Sequence, residues 1–357
     1  MLARLLSRST RLTKNERTFG WMKQLCCMNG QQKLAFLRHQ IEVQLFPLVK
    51  GKVALFGLPC HGNIGDTYIA MGELSFLKSI GAKVIYTKMG IDSTPLPDLP
   101  HDCTILLQGG GDFGDVWRGI QECRLAVLRK YQNYKIIIFP QSVFYENNSY
   151  KENDAKALKN CTDLTICARD YYSYEVLKQC FHNNILLVPD MAFFIPSASL
   201  RKHMLPMTKQ TLFLKRVDKE LNQKEMSDMF RNRGDSKASL IVSDWPTIDN
   251  NLWCIRLNLW MVGITDALLL RKMSWMASFM RKLTTWQMIN VTYPIVAKRG
   301  VQFLSLFNNL YLTRLHSAIL AVLLDKKFAL LDNSYHKNRY FYETWLKDLD
   351  LAQFLYS

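Results

Sequence analysis

Two glycine-rich stretches in this sequence have the residue types that an anion-binding loop needs. Residues 62–66 read Gly-Asn-Ile-Gly-Asp and stand directly before a run with helical spacing. Glycine permits tight turns, and the N-terminus of a helix offers unpaired N–H groups to an anion. Asp66 has two interpretations, the N-cap of that helix or a group that holds or deprotonates a hydroxyl. Residues 109–111 are three glycines, which form either an ordinary tight turn or a ligand-facing loop.

Four basic or titratable side chains lie at predicted element boundaries. Arg169 directly follows a strand-like run, where an arginine is either salt-bridged or placed to bind a ligand. Its guanidinium would match both carboxylate and phosphate through paired hydrogen bonds. Arg314 and His316 open an apolar helical run, so they are either cap residues or a site for anion binding and proton transfer. Lys337 follows a later strand, where an exposed lysine is the ordinary interpretation.

The elements that would position these residues alternate between strand and helix from residue 52 to residue 188. Strand-like runs begin near Lys52, Lys83 and Thr104, and again near Ile136, Leu164 and Ile185. Helical patterns fill several of the gaps, which predicts a parallel sheet covered by helices on both faces. In such sheets the ligand lies at the carboxyl ends of the strands. The loops at 57–66 and 109–115 both follow strands, so they are predicted to face a ligand.

A second unit is predicted beyond a break at residues 196–206. Thr211–Leu214, Leu240–Val242 and Phe328–Leu331 have strand patterns. Residues 250–312 are mostly helical in pattern, residues 314–324 form a further helix, and the chain is predicted to be helical from residue 338 to its end. The charged stretch 217–239 is predicted to be a loop.

Composition narrows the classes of partner. The 357 residues carry a formal net charge of +16, which calls for an anionic partner such as a nucleic acid, a membrane surface or a small anionic substrate. We predict no nucleic-acid partner, because no nucleic-acid-binding motif is recognisable. The nine cysteines show no C-x-x-C spacing and are predicted to be free thiols in a reducing cytoplasm. The basic N-terminus lacks the apolar region of a secretory signal, and no apolar stretch approaches the roughly 20 residues of a membrane span.

Residues 271–286 are the stretch most relevant to where in the cell the protein is located. Trp275, Phe279, Leu283 and Trp286 recur at helical spacing, with basic residues at both ends. The pattern is typical either of an amphipathic helix that faces the core or of a helix that lies in a membrane interface. The second interpretation extends the predicted cytoplasmic location to peripheral attachment at the inner face of the plasma membrane.

Taken together, the motifs resemble those of the polysaccharide pyruvyl transferase family. Each motif is short, but their order and spacing over roughly residues 52–340 make the joint match specific. The resemblance is carried by His61 to Asp66 with Gly72-Glu73, by Gln108 to Asp112, by Arg169 with Ser173 and Pro189-Asp190, and by Thr313 to His316 with Leu331-Asp332, Tyr335 and Lys337.

The resemblance implies an α/β fold of two Rossmann-like lobes facing a cleft, as in glycosyltransferases of the B type. A basic helical segment would cover residues 1–50, and the two lobes would cover residues 51–200 and 201–357. The implied reaction moves pyruvate from phosphoenolpyruvate onto a hexose of an exopolysaccharide or capsule repeat unit, or of its lipid-linked precursor, as a cyclic ketal. Phosphoenolpyruvate is then a co-substrate, and no further cofactor or metal is expected.

The same resemblance assigns roles to individual residues. His316 would be the acid/base, and Asp66 a candidate base or acceptor-binding residue. Arg169 and Arg314 would clamp phosphoenolpyruvate, and Lys337 would contact its phosphate. The other residues of the predicted site are Leu315, Asn63, Gly65, Gly109, Gly110 and Gly111.

Two other functions fit the same sequence. A nucleotide-sugar-dependent glycosyltransferase of the same fold would share the cleft and its basic residues. It would need a nucleotide pocket, usually with an acidic contact to the ribose, of which the second lobe shows no clear sign. A non-catalytic scaffold on the membrane side of an assembly complex would keep the charge and the amphipathic stretch, but it would not need the Arg-x-His motif at a cleft.

Overall fold

A computed structural model describes residues 27–90, 95–218, 220 and 240–356 of the chain. The basic N-terminus, the start of the Pro-rich connection at residue 94 and most of the predicted loop at 217–239 lie outside the described residues.

The first sheet is entirely parallel, as the alternation of strands and helices predicts. Its order is β2-β1-β3-β5-β6-β7, and β4 pairs with the distal part of β5, so the predicted loop at 109–115 contains a short strand. The apolar run Ile136 to Phe139 is buried in the middle of this sheet. The strands are β1 (Lys52–Leu58), β2 (Lys83–Met89), β3 (Cys103–Leu107), β4 (Gly110–Gly114), β5 (Lys135–Phe144), β6 (Asp163–Ala168) and β7 (Asn184–Leu187).

The helices of this half alternate with the strands of the first sheet, except that α1 precedes the sheet and α6 follows it. The first of them, α1, begins with a capping box in which Asn29 and Gln32 exchange side-chain hydrogen bonds with each other's backbone N–H. The helices of this half are α1 (Gly30–Leu45), α2 (Ile64–Ser79), α3 (Arg118–Lys130), α4 (Asn148–Leu158), α5 (Tyr171–Cys180) and α6 (Ser197–Arg201), with a 3₁₀ turn at Met191–Phe194.

The second sheet is also parallel, in the order β12-β11-β10-β8-β9. Two predictions are wrong here: β10 lies within the region predicted to be helical, and the chain ends in a strand rather than a helix. Both strands are only three or four residues long, and they form because neighbouring strands pair with them: β10 lies between β8 and β11, and β12 pairs with β11 at the edge of the sheet. The strands are β8 (Thr211–Leu214), β9 (Leu240–Ser243), β10 (Asn309–Leu312), β11 (Phe328–Leu330) and β12 (Ala352–Phe354).

The helices of the second half include a long hairpin. The prediction that residues 271–286 could face the core is wrong, because Trp275, Phe279, Leu283 and Trp286 are all exposed. The helices are α7 (Trp253–Leu270), α8 (Ser274–Gln287), α9 (Tyr293–Ser305), α10 (Leu315–Leu323) and α11 (Lys337–Phe341), with π-helical turns at Met288–Thr292 and Tyr342–Leu346.

Helix α7 is the one helix of the described residues that could cross a membrane by length and composition. Its 18 residues have a mean hydropathy of 1.3, and 28% of them are buried. The expectation that no apolar stretch approaches spanning length was therefore too strict, although Arg256, Asn258 and Asp266 interrupt the apolar run.

The two halves share one apolar core. Helix α10 is buried along most of its length and packs with α1 and α2. The Tyr68 hydroxyl donates to the Ala297 carbonyl at 3.0 Å, and the Tyr293 hydroxyl donates to the Pro59 carbonyl at 3.0 Å. A Cβ at Gly300 would lie 2.7 Å from the Tyr68 hydroxyl, so only glycine permits this contact. These contacts fix the two halves so that the carboxyl ends of the strands in both sheets face the same cleft.

Candidate active site

A cleft of about 600 Å³ lies where the carboxyl ends of the two sheets meet. Loops that follow strands of the first sheet supply one wall, and loops that follow strands of the second sheet supply the other. Ten of the eleven predicted site residues line the cleft: Asn63, Asp66, Gly109, Gly110, Gly111, Arg169, Arg314, Leu315, His316 and Lys337. The eleventh, Gly65, lies directly behind His316.

The loop after β1 presents Asp66 to the cleft. Helix α2 begins one turn earlier than the pattern predicted, and its N-cap is Asn63, whose Oδ1 accepts from the Gly65 N–H at 3.0 Å. The N-cap interpretation of Asp66 is therefore wrong. Asp66 lies in the first turn of the helix, where a negative charge is favourable, and its Oδ2 accepts from Nδ2 of Asn63 at 2.8 Å. The carboxylate also lies 3.6 Å from Nε2 of His61.

The glycine run after β3 lets cationic side chains approach the backbone closely. A Cβ at Gly111 would lie 2.7 Å from Nη2 of Arg169 and 3.1 Å from Nζ of Lys337. The N–H of Gly109 donates to Oε1 of Glu73 at 2.8 Å, which anchors the start of the run to α2. Burial raises the pKa of Glu73 well above its ordinary value, against the effect of that hydrogen bond. The glycine run therefore faces the cleft at a fixed position and is more than a tight turn.

Asp190 joins Arg169 to His316 beneath the cleft. Its Oδ2 accepts from Nη1 of Arg169 at 2.8 Å and lies 3.3 Å from Nε2 of His316. Nε of Arg169 donates to the Ser142 hydroxyl at 2.9 Å, so the guanidinium has a fixed orientation. Burial would raise the pKa of Asp190, but the positive charges of His316 and Arg169 outweigh burial and hold that pKa well below its usual range. Asp190 is thus a charged residue shared by two site residues.

His316 is held between the two halves of the molecule. It lies in the first turn of α10, and its ring packs on the backbone of Gly65, where a Cβ would come within 2.5 Å of Nδ1. Nε2 faces Asp190 on the other side of the ring. The side chain is 13% exposed, so it can reach a ligand while its position is fixed.

A second cluster of charges surrounds Lys337. Its Nζ donates to Oε2 of Glu220 at 2.7 Å and to the Tyr335 hydroxyl at 3.0 Å. Nη1 of Arg216 lies 2.7 Å from the same Oε2 of Glu220. Burial lowers the pKa of Lys337 to about 8; the carboxylate of Glu220 opposes this shift, and the guanidiniums of Arg216 and Arg169 add to it. Lys337 is therefore buried, contrary to the interpretation of an ordinary exposed lysine.

Arg314 is the N-terminal flanking residue of α10 and is fixed by carboxylates of the second sheet. Its Nη2 donates to Oδ2 of Asp244 at 2.6 Å and lies 3.1 Å from Oδ2 of Asp218. Leu315 beside it is buried and lines the cleft. These ion pairs orient Arg314 before any ligand arrives, which limits the conformational entropy that binding must cost.

Sequence reasoning did not place several charged residues that the cleft contains or adjoins, among them Arg216, Glu220 and Asp244. Arg216 and Asp244 each follow a strand of the second sheet, as Arg169 follows β6, so the same signal could have identified them. Glu220 had no such signal, since it follows no regular element directly. Among the described residues, no group of three or more His, Cys, Asp or Glu side chains is arranged to hold a metal ion.

Comparison with known proteins identifies the family of this chain. Residues 63–252 match the family model of polysaccharide pyruvyl transferases. The chain belongs to the polysaccharide pyruvyl transferase family. The matched residues include Asp66, the glycine run, Arg169 and Asp190, whereas Arg314, His316 and Lys337 lie beyond them.

Two curated relatives agree with this family, and one solved structure has a similar fold. A putative pyruvyl transferase of Bacillus subtilis, EpsO, is 27% identical over 324 residues, which cover 90% of this chain and 94% of that protein. Pyruvyl transferase 1 of Schizosaccharomyces pombe is 32% identical over 206 residues, which cover 54% of this chain and 51% of that protein. The crystal structure of an uncharacterised Klebsiella pneumoniae protein has a TM-score of 0.53 at 17% identity, covering 90% of this chain and 98% of that one, and indicates a shared fold.

The members of this family are transferases of polysaccharide biosynthesis, and the chain is assigned to that class. The cleft brings together fixed cations, a histidine beside a carboxylate, and a partly exposed carboxylate on the opposite loop.

Proposed function

We propose that the protein transfers pyruvate from phosphoenolpyruvate to two hydroxyls of a hexose, forming a cyclic ketal on a polysaccharide repeat unit or its lipid-linked precursor. The observation that carries the proposal is the convergence of Arg169 and Lys337 on Gly111, with His316 joined to Arg169 through the carboxylate of Asp190. Phosphoenolpyruvate has a carboxylate and a phosphate close together, and a group of fixed cations is complementary to both. We also propose that the two sheets correspond to two lobes of the glycosyltransferase B type, divided near residue 200, and that no cofactor is needed.

In the proposed mechanism, His316 donates its proton to the methylene carbon of phosphoenolpyruvate, which becomes a methyl group. Positive charge then develops at the carbon that bears the phosphate, and a sugar hydroxyl attacks it while Asp66 takes the hydroxyl proton. The bond to phosphate breaks, and the phosphate takes that proton from Asp66. The second hydroxyl closes the ring on the same carbon and returns a proton to His316.

The cations have separate tasks in this mechanism. Arg169 and Arg314 bind the carboxylate and phosphate through N–H groups that their carboxylate partners leave pointing to the cleft. Lys337 and Arg216 offset the charge that grows on the departing phosphate. Oδ2 of Asp190 lies 3.3 Å from Nε2 of His316. Its negative charge stabilises the protonated imidazole ring of His316 until that ring donates its proton.

The proposal is tested by incubating the protein with phosphoenolpyruvate and a panel of galactose- and glucose-containing acceptors. We expect phosphate release that depends on the acceptor, together with an acceptor mass that increases by one pyruvate ketal. His316→Ala should reduce the rate by roughly 10²–10⁴-fold, as expected for loss of a general acid. His182→Ala, at an exposed position, is the matched control.

Two outcomes would contradict the proposal. A product formed from a nucleotide sugar, with none formed from phosphoenolpyruvate, would favour the glycosyltransferase alternative. Unchanged activity and donor binding in His316→Ala would show that the assigned site is wrong.

A further inference from the structure

The hairpin of α7 and α8 turns its apolar side away from the protein. Five aromatic side chains leave 58–77% of their surface exposed, whereas soluble helices normally direct such residues toward the core. On each helix they recur at intervals that place them along one exposed face, together with Leu257, Leu270 and Leu283. The five are Trp253, Trp260, Trp275, Phe279 and Trp286.

The protein-facing side of the same hairpin carries polar residues among its apolar ones, although its largest apolar side chains face outward. Asn258, Thr265, Thr284 and Gln287 are all buried. Nε2 of Gln287 donates to the Thr292 hydroxyl at 2.9 Å and to the Cys254 carbonyl at 3.3 Å, which ties the end of α8 to the start of α7. These bonds oppose rotation of the helices, because turning the aromatic face inward would break them.

Contacts with the first sheet also fix the orientation of the hairpin. The hydroxyls of Thr285 and Thr87 are 2.7 Å apart, and the guanidinium of Arg281 lies over the ring of Tyr86, 4.2 Å from its centroid. The exposed apolar face is therefore held rigidly by the body of the molecule.

The charge of the hairpin identifies what this face fits. Residues 253–287 contain five basic residues and one acidic residue, and Arg256, Arg271, Lys272 and Lys282 are exposed beside the aromatic side chains. Tryptophan with lysine and arginine is the combination that binds the headgroup region of anionic bilayers. A protein interface would be depleted of lysine at its centre. We propose that the hairpin docks the protein onto an anionic lipid bilayer, with both helices lying in the interface.

The packing of α7 supports docking over spanning. Cys254, Ile255 and Met261 on one side of the helix are buried against protein, so lipid could reach only the opposite side. A helix that spans a bilayer needs lipid or other membrane-embedded segments all around it. We therefore expect α7 to lie along the membrane surface, with its exposed apolar side toward lipid.

The position of the hairpin relates membrane docking to the cleft. Trp245 and Ile248 line the cleft, and Oδ1 of Asn250 accepts from the N–H of Gly62 at 2.5 Å. Trp253 begins α7 only three residues later, so its Cα lies within about 11 Å of that contact. We therefore expect the cleft to open beside the bilayer and its acceptor to be lipid-linked, an expectation that rests on the proposed function.

Vesicle flotation tests the docking itself, with neither donor nor acceptor present. We expect the protein to bind vesicles containing phosphatidylglycerol at low salt, and to bind pure phosphatidylcholine vesicles or anionic vesicles at high salt far more weakly. The triple variant Trp260→Ser, Trp275→Ser, Phe279→Ser should lose at least about tenfold in partitioning. The control replaces three exposed tyrosines elsewhere, Tyr150→Ser, Tyr171→Ser, Tyr356→Ser, and should bind as the wild type does.

The basic residues are tested by a second pair of variants. Arg271→Gln, Lys272→Gln should reduce binding to anionic vesicles by about tenfold. The matched control is Lys156→Gln, Lys159→Gln at the C-terminal end of α4, where the lysines are also exposed. Equal binding of test and control variants would overturn the proposal. So would a concentration-dependent dimer that the triple variant abolishes, because a second copy of the chain would then occupy the face.

The relation to the cleft has its own measurement. The triple variant should lose turnover of a lipid-linked acceptor embedded in vesicles but keep turnover of a short water-soluble acceptor. Loss of both activities in the variant alone would contradict this relation. If the wild type turned over neither acceptor but still floated with anionic vesicles, the proposed chemistry would be wrong while the docking surface stood.

Discussion

Gly111 shows how the lack of one side chain can organise a binding site. Two cations, Arg169 and Lys337, approach its backbone so closely that a Cβ would come within 2.7 Å and 3.1 Å of their nitrogen atoms. The position requires glycine for space at the cleft. Two positive charges held this close together need an anion or nearby carboxylates, and Asp190 and Glu220 lie beneath them.

Gly111→Ala should weaken donor binding. The added methyl group would displace the ends of both cationic side chains, and we expect the dissociation constant for phosphoenolpyruvate to rise by roughly tenfold. Titration calorimetry measures this change. Gly119→Ala is the control, because a Cβ there meets nothing within 4 Å. Equal donor affinity in the two variants would show that the cations do not bind the donor.

Lys337 should make donor binding depend on pH in the alkaline range. Because burial lowers its pKa to about 8, the ammonium loses its proton as the pH rises through that value, and its attraction for an anion disappears. We expect donor affinity to fall by about tenfold between about pH 7.5 and pH 9.5. Calorimetric titrations across this range should show a flatter profile for Lys337→Arg, since arginine stays protonated. The same slope in both proteins would exclude Lys337 as the titrating group.

At the scale of elements, Asp190 connects the two halves of the protein. It follows β7 of the first sheet, yet its carboxylate serves both Arg169 after β6 and His316 at the start of α10. The Ala192 N–H also donates to its Oδ1 at 2.9 Å, so the carboxylate ties a 3₁₀ turn to the same cluster. Removal of a buried charge that has two cationic neighbours strongly destabilises the folded state, because the cations are left without their partner.

Asp190→Asn should lower the free energy of unfolding by about 3–5 kcal/mol at neutral pH. Since the pKa of Asp190 is lower in the folded protein than its ordinary value of 3.8, its stabilisation is complete above that value and is lost as the pH falls below it. Urea titrations should therefore show a constant difference from wild type down to about pH 4, and a difference that narrows as the pH falls further.

Asp98→Asn is the control for this prediction. Asp98 pairs with Lys130 at the surface, and its removal is expected to leave stability nearly unchanged. A difference between Asp190→Asn and wild type that stays constant with pH would show that lost packing, and not lost charge, explains the effect.

At the scale of the whole molecule, the parallel sheets and the hairpin define two functional surfaces. The cleft collects the carboxyl ends of strands from both sheets, and the hairpin begins only a few residues beyond the segment that lines it. The net charge of +16 suits both surfaces, since the proposed donor and the proposed membrane are anionic. The cleft would thus recognise the donor, and the hairpin would separately recognise the membrane that holds the acceptor.

The sequence by itself determined the first parallel sheet and the place of most predicted site residues at the cleft. Alternating strand and helix patterns predict parallel strands, and the carboxyl ends of parallel strands share an edge. Arg169 follows β6 directly and Arg314 lies two residues beyond β10, so their place at the cleft could be inferred from local pattern. The family motifs added His316 and Lys337, and the family itself is confirmed.

Only the tertiary structure decided which of these residues meet and which faces are covered. The pairing of Asp190 with His316, and the packing of His316 on Gly65, depend on how two sheets dock, which no local pattern encodes. The periodicity of α8 established an apolar face but could not say whether protein covers it, because helical spacing specifies an axis and not a neighbour. The short strand β12 likewise forms only because the edge of β11 is there to receive it.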